Sequence, residues 1–575
     1  MKPTAIRRRA CTFDAHAWPT AVHPVLARIY ALRGLAADAP LDPKLSSLVD
    51  PSALGGLERA CEILVDAIDR DRSICIVGDF DADGATGTAV AVRGLRLLGA
   101  RDVRYRVPNR FTHGYGLSPG LVADLAAESP DLIVTVDNGV ACHAGVAAAR
   151  ARGMQVVVTD HHLPGATLPD ADAIVNPNLA GDAFPSKAIA GVGVMFCLLL
   201  ALRASLRARG RYAGVAEPDL SPLLDLVALG TVADLVPLDA NNRVLVAAGL
   251  RRIRAGRACA GIAGLCRVAG RDMTRLIASD LAFALAPRIN AAGRLDDMRL
   301  GIECLLTDDP ARAAELAEQL SSINAQRRDM QATMVEQGEA IVAAFLAEHG
   351  GDACPHGVVL FESGWHPGVV GLVASKLKER LHRPVVAFAP AGDDSDELRG
   401  SARSIAGFHL RDALAEVDVR RPGMIARFGG HAMAAGLSLP ARHLADFAAE
   451  FDSVARSRLD ADVLERVVWS DGELGVPDFC FDLAFALRFA GPWGQAFPEP
   501  AFDNVFRVES WRAVGEKHLS MRLCIDGGET LDSIMFDALE YMPPPPRLRA
   551  LYHLGVDEWN GRDRLRLLVV HYETV

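Results

Sequence analysis

Three carboxylates at alternate positions, in Asp79-Phe80-Asp81-Ala82-Asp83-Gly84, follow directly on the apolar run Ile74–Val77. In one short loop they repel each other unless cations hold them together. Two further apolar runs end alike: Leu132–Val136 leads into Asp137-Asn138-Gly139, and Val156–Thr159 into Asp160-His161-His162. A fourth acidic position, Asp234, closes the stretch Leu229-Gly-Thr-Val-Ala-Asp234. A single Asp at a strand end would as readily cap a helix; four such positions with a histidine pair describe a cation site. Oxygen donors with one or two imidazoles suit Mn²⁺ or Mg²⁺ better than a thiolate-preferring ion. Two such ions about 3.5–4 Å apart, bridged by a carboxylate, activate water and stabilise the charge that develops in phosphodiester hydrolysis. The pattern D-x-D-x-D-G also opens an EF-hand, but that loop needs a bidentate acid at its twelfth position. Here the twelfth residue is Val90, and the loop follows a strand.

The elements around these acids have a regular order. From Ser73 to Pro177 the apolar runs Ile74–Val77, Val103–Val107, Leu132–Val136, Val156–Thr159 and Ala173–Val175 alternate with Ala- and Leu-rich stretches such as Thr86–Leu98 and Ala141–Arg152. That alternation predicts a parallel α/β sheet, whose ligands bind beyond the carboxyl ends of its strands. A helical region runs from Gly191 to about Gly350, and Asp309–Ala347, periodic and low in Gly and Pro, predicts one or two long bridging helices. Gly357 to Pro440 returns to α/β character: Val358–Phe361, helix Val369–Leu381, Val385–Phe388, an exposed loop over Ala391–Glu397, then a Gly-rich stretch. His518–Ile525, Leu551–Asp557 and Leu565–Tyr572 are β-like, with turns at Gly527-Gly528 and Pro543–Pro546, which suggests a small barrel.

With 575 residues the chain is too long for one core. Arg7, Arg8 and Arg9 precede no apolar run, so no secretory signal is expected. Ala188–Leu202 is too short to span a bilayer of roughly 18–20 residues and reads as a buried helix. No C-x-x-C pair occurs among the 11 cysteines, which fits core thiols in a reducing cytoplasm. The net charge of −11 argues weakly against a nucleic-acid partner, since a carboxylate site counts as negative until its cations bind.

Asp79–Gly84, Val136–Gly139, Asp160–His162 and Gly230–Asp234 resemble, in order, the motifs of the DHH phosphoesterase superfamily. Val107–Phe111, Gly114–Ser118, Ala286–Asp297, Gly364–Gly371, Gly400–Ser404 and Phe428–His431 narrow the resemblance to the bacterial RecJ exonucleases, as do Gly491–Gln495 and Gly515–Leu519. The resemblance implies an extension over residues 1–60, a parallel-sheet DHH domain over 61–305, a connecting helix over 306–350, a smaller α/β DHH-associated domain over 351–465 and an OB-fold barrel over 466–575.

It further implies Asp81, Asp83, Asp137, His161 and Asp234 as catalytic metal ligands, Asp137 bridging, with Asp79 a ligand or its supporting carboxylate. His162 would face the substrate phosphate. Two ions are expected; many members carry a His where this chain has Val77, so the first ion would be held more weakly or by different ligands. Gly429, Gly430 and His431 resemble a phosphate-clasping loop, and Ser401 and Arg403 a pocket for a 5′-phosphate. Arg110, Arg288, Asn290 and Arg294 would meet the substrate backbone, and Trp511, Arg512, Lys517, His518 and Arg522 a single strand on the barrel. The implied activity is 5′→3′ digestion of single-stranded DNA to 5′-mononucleotides in recombination and repair, by a cytoplasmic monomer working with single-strand-binding protein and a helicase. The rival readings are a dinucleotide phosphodiesterase, for which the C-terminal β-rich region is superfluous, and an inactive scaffold, for which the intact acids are.

Overall fold

The computed structural model describes residues 4–110, 112–349, 354–392, 395–460, 462–515, 517–559 and 562–575. Phe111, Asp393, Asp394 and Glu516, which belong to stretches singled out above, lie outside the described residues. The chain opens on a short strand, β1 (Ala5–Arg8), whose partner comes from near its other end.

The first domain is built on β2 (Ile74–Val77), β3 (Val103–Arg106), β4 (Leu132–Val136), β5 (Gln155–Thr159) and β6 (Ala173–Val175), all parallel, in the order β3-β2-β4-β5-β6. Every residue of β2 and β4 is buried, so these strands are continuous apolar runs rather than alternating ones, as a sheet covered on both faces requires. Helices Ala82–Leu97, Gly191–Ala208 and Leu224–Ala233 pack together on one face. Pro119–Leu125 and His143–Arg150 cover the other. Gly191–Ala208, of 18 residues, has most of its length inside this core, which explains its apolar composition. The chain leaves β2 toward β3 on one side and returns to β4 on the other. The strand order therefore reverses between β2 and β4, opening a crevice at their carboxyl ends.

One uninterrupted helix, Pro310–His349, of 40 residues, settles the choice left open by the periodicity. At about 1.5 Å per residue it is roughly 60 Å long. It packs against Ala260–Val268 and Ala286–Leu295 at one end and Val370–Leu381 at the other. There Met334, Val335 and Val342 join the core of the second α/β domain. That domain has the strands β7 (Val358–Phe361), β8 (Val385–Pro390), β9 (Glu397–Arg403), β10 (Arg427–Gly430) and β11 (Ala434–Pro440), ordered β10-β11-β9-β8-β7. Only β7 and β8 run parallel. In β9 the residues Leu398, Gly400 and Ala402 point into the core, so Arg399, Ser401 and Arg403 share the opposite face.

Past β12 (Val467–Ser470), which pairs in parallel with β1, come β13 (Phe502–Val514), β14 (His518–Cys524), β15 (Thr530–Met535), β16 (Arg547–Trp559) and β17 (Arg562–Thr574). They close into a barrel in the order β13-β14-β15-β17-β16, the five-stranded OB arrangement. All 11 cysteines are free.

Candidate active site

The loop after β2 is held by its own helix. Asp81 accepts the Gly84 N–H at 3.0 Å and so caps Ala82–Leu97, serving the site and the helix end at once. Asp83, one residue inside, accepts the backbone N–H groups of Gly191 (2.7 Å) and Val192 (2.9 Å) at the start of the buried helix. Opposite the first loop, Asn138 donates to the carbonyls of Val77 (3.0 Å) and Val136 (2.9 Å), tying the ends of β2 and β4 across the crevice. This bends the chain so that Asp137 takes a left-handed conformation, φ 63°. Gly191 must be glycine for Asp137 to fit, because a Cβ there would come within 2.6 Å of the Asp137 Cβ.

The acids and His161 meet in one place. His161 Nε2 lies 3.0 Å from Asp137 Oδ1, 3.4 Å from Asp234 Oδ2 and 3.9 Å from Asp83 Oδ2. Donor atoms of Asp79, Asp81 and Asp137, of Asp83, His161 and Asp234, and of Asp137, His161 and His162 each lie within 4.8 Å of one another. Asp137 and His161 are each common to two of these groups. Asp234 arrives from the end of helix Leu224–Ala233 rather than from a strand. Val77 is buried in β2 and contributes no donor.

The electrostatics of the centre favour positive charge. Burial, followed by repulsion from neighbouring aspartates, holds the carboxyls of Asp79, Asp137 and Asp234 well above the usual range, and Asp83 up to about 7. Burial, then the charge of His162, takes the His161 imidazole down to about 4, so it is neutral. Its bond to the Ile189 backbone fixes one ring nitrogen and leaves Nε2 as a lone pair. Asp79 Oδ1, Asp137 Oδ1 and His161 Nε2 are all buried without a hydrogen-bond partner. Such atoms are costly unless a cation takes them up. The residues therefore fit Mn²⁺ or Mg²⁺.

His162 behaves differently. Burial lowers its pKa, but the 2.8 Å bond from Nδ1 to Asp160 and the surrounding carboxylates outweigh that and raise it to about 9. Asp160 accepts four bonds, from the His161 and His162 backbone N–H groups, His162 Nδ1 and the Val140 N–H. It is the positioning carboxylate of the centre. Asn176 and Asn178 hold the carbonyls of His162 and His161. Asn176 and Asn178 are not singled out by the sequence; Asp160 is read there as one of the strand-end acids, but not as the carboxylate that holds His162.

A cleft of about 490 Å³ opens beside the centre, between the two α/β domains. Phe80, Arg110, Tyr115 and Arg294 line one side, Ser401, Arg403 and Gly429 the other. The Arg110 guanidinium lies 4.1 Å over the Phe80 ring, and its buried Nε has no partner. Burial, then the charges of Arg110 and Arg403, lowers Arg294 to about 9. Burial lowers Arg403 as well, and its Nη1 donates to Ser401 Oγ at 3.0 Å. Three arginines crowded together with few acceptors give this side of the cleft the chemistry to hold an anion. Gly429 and Gly430 end β10 and His431 opens the turn to β11; Gly430 has φ 145°, open only to glycine. Burial, then the charge of His162, lowers the His431 imidazole below its usual value.

Other expected contacts lie elsewhere. Arg288 gives its donors to the carbonyls of Ala284 and Val268 (3.5 Å) and to Ser321 Oγ (3.3 Å), and does not line the cleft. Asn290 Oδ1 accepts the Ala82 N–H at 2.8 Å, so it buttresses the first acidic loop. On the barrel, strand alternation separates the residues expected to act together. Arg512 and Arg522 share one face, with Ser510 and Ser520, whereas Trp511, 45% exposed, pairs with Met521 on the other. Lys517 lies 4.0 Å from Asp537.

Comparison with known proteins agrees with this architecture. Residues 73–231 match the family model of the DHH family N-terminal domain, 355–457 the DHHA1 domain and 470–571 the RecJ OB domain. Fold and site thus define a DHH-domain protein with a carboxylate–imidazole cation centre. The chain is 53% identical to the single-stranded-DNA-specific exonuclease RecJ of Dickeya dadantii and 48% identical to that of Escherichia coli, in each case over 96% of both chains. The crystal structure of RecJ in complex with Mn²⁺ from Thermus thermophilus superposes with a TM-score of 0.81 at 32% identity, covering 99% of this chain and 80% of that one. The chain belongs to the RecJ family.

Proposed function

We propose that the chain is a divalent-cation-dependent exonuclease that digests single-stranded DNA from its 5′ end to 5′-mononucleotides, in recombination and repair. The observation that carries this reading is the juxtaposition of a cation centre with unpaired buried donors and an arginine-lined cleft that begins beside it. Asp79, Asp81, Asp83, Asp137, His161 and Asp234 would hold Mn²⁺ or Mg²⁺. The bound metal supplies an activated water and neutralises charge on the phosphoryl oxygens. His162, protonated and held by Asp160, donates toward the scissile phosphate and steadies its negative charge. Ser401 and Arg403, with Arg110 and Arg294 nearby, seat the 5′-terminal phosphate and set the strand in register, and Gly429, Gly430 and His431 clasp the backbone phosphate. The barrel carries the following nucleotides, with Arg512 and Arg522 on backbone phosphates. Single-strand-binding protein and a repair helicase supply the substrate, and the enzyme acts as a monomer in the cytoplasm.

The test is digestion of a 3′-labelled single strand by chelator-stripped protein. Mononucleotides should appear only on adding Mn²⁺ or Mg²⁺, and a duplex of the same sequence should resist. Digestion without a divalent cation would end the proposal.

A further inference from the structure

The cleft continues past the residues that seat a terminal phosphate. On β9, Arg399 shares a face with Ser401 and Arg403, two residues farther from Ser401 on the side away from Arg403. Across the sheet, Ser438 of β11 is the register partner of both Arg399 on β9 and Arg427 on β10, so the two arginines flank one serine. Gly436, the register partner of Ser401, and Gly429 beside it leave open space where side chains would stand. The floor is thus bare between two basic ends. Arg399, Arg427 and Ser438 all line the cleft. Among the described residues, the acid that meets these arginines is Glu397, 3.4 Å from Arg427. One carboxylate against Arg399 and Arg427 leaves that end net positive.

At about 3.3 Å per residue, Arg399 lies roughly 7 Å along the strand from Ser401. An arginine side chain reaching back over that distance meets the far phosphates of a polyphosphate whose first phosphate sits at Ser401 and Arg403. A single terminal phosphate needs only the inner pocket.

We propose that this outer subsite binds the additional phosphates of a 5′-polyphosphorylated strand, so that the enzyme accepts 5′-triphosphate ends as well as 5′-monophosphate ends. The inference rests on the reading of Ser401 and Arg403 as the terminal-phosphate pocket. The reaction is unchanged. Water adds to the phosphorus joining the first two nucleotides, the bond to the 3′-oxygen breaks and that oxygen takes the proton. The first product is a nucleoside 5′-triphosphate with a free 3′-hydroxyl, and the strand left behind carries a 5′-monophosphate.

The experiment compares 3′-labelled single strands bearing a 5′-hydroxyl, a 5′-monophosphate or a 5′-triphosphate, digested by the full chain with Mn²⁺. The expected result is kcat/KM on the triphosphate equal to or above that on the monophosphate, with intact nucleoside triphosphate as the first product. In Arg399→Ala/Arg427→Ala the triphosphate-to-monophosphate ratio should fall about tenfold, as expected for loss of charge-assisted phosphate contacts. A monophosphate preference over hydroxyl, with triphosphate ends cut more than tenfold slower or with a ratio untouched in the double variant, overturns this inference alone. Equal rates on hydroxyl and monophosphate ends would remove the pocket reading and this one with it.

Discussion

Two regions of the molecule bury aspartates, and they settle the cost in opposite ways. At the crevice between β2 and β4, Asp79, Asp83, Asp137 and Asp234 lie together with no arginine or lysine bonded to them among the described residues, and their carboxyls are pushed upward. Where β1 and β12 meet the barrel, Asp471 takes two bonds from Arg33 (2.7 and 2.8 Å) and one from Arg9 (2.9 Å). Asp503 is held there by Arg8 (2.7 Å) and Arg549 (2.8 Å). Burial raises these two carboxyls, but the arginine bonds outweigh it, and both end below the ordinary value. The second cluster carries its own cations and clasps the N-terminal strand to the far end of the chain. The first leaves its positive charge to be supplied from outside, which is what a cofactor site needs.

The largest expected effect comes from removing a carboxylate at the open centre. Asp137→Asn keeps the left-handed backbone, which Asn tolerates, and removes the charge. Activity on single strands should drop about a thousandfold. The melting temperature of metal-free protein should hold or rise, because repulsion is relieved, and Mn²⁺ should raise it only in the wild type. At the clasp the signs reverse. Arg33→Ala strands a buried Asp471 and should cost about 3–5 kcal/mol, read by denaturant titration, with kcat on single strands little changed. A smaller effect sharpens the contrast from within the centre: Asp160→Asn loosens His162 without removing a ligand atom. It should lower activity about 10–100-fold and weaken His162 protonation, visible as a downward shift of the imidazole titration by NMR. The smallest is a pH effect. Since Asp471 and Asp503 titrate below the unfolded value of about 3.8, their contribution is complete above about pH 4 and is lost as pH falls through their lower folded values. Acid unfolding should show a smaller loss in Arg33→Ala than in the wild type, because Asp503 keeps its bonds from Arg8 and Arg549 and Asp471 its bond from Arg9.

How far each region was legible follows from the reach of its contacts. The DHH sheet could be read because β2, β4 and β5 are buried apolar runs, each leading into its Asp or His. The clasp could not: nothing marks Ala5–Arg8 as a strand until β12 arrives to pair with it. Nor does Phe502–Val514 alternate cleanly, because its outer half is exposed beyond the barrel and a register shift falls between Val508 and Ser510. Within the site, motif position identified which arginines occur near acids but not where each guanidinium turns. Arg110 and Arg294 line the cleft, whereas Arg288 is spent on carbonyls and a serine. Asn138 and Asp160 act through neighbours in the folded chain, a relation no spacing encodes.

The most direct test is calorimetric titration of Mn²⁺ into chelator-stripped wild type and Asp137→Asn. The account expects saturable binding in the wild type and its loss, or a large fall in affinity, in the variant. Binding of equal affinity and stoichiometry in both would contradict the claim that these buried carboxylates exist to gather a cation.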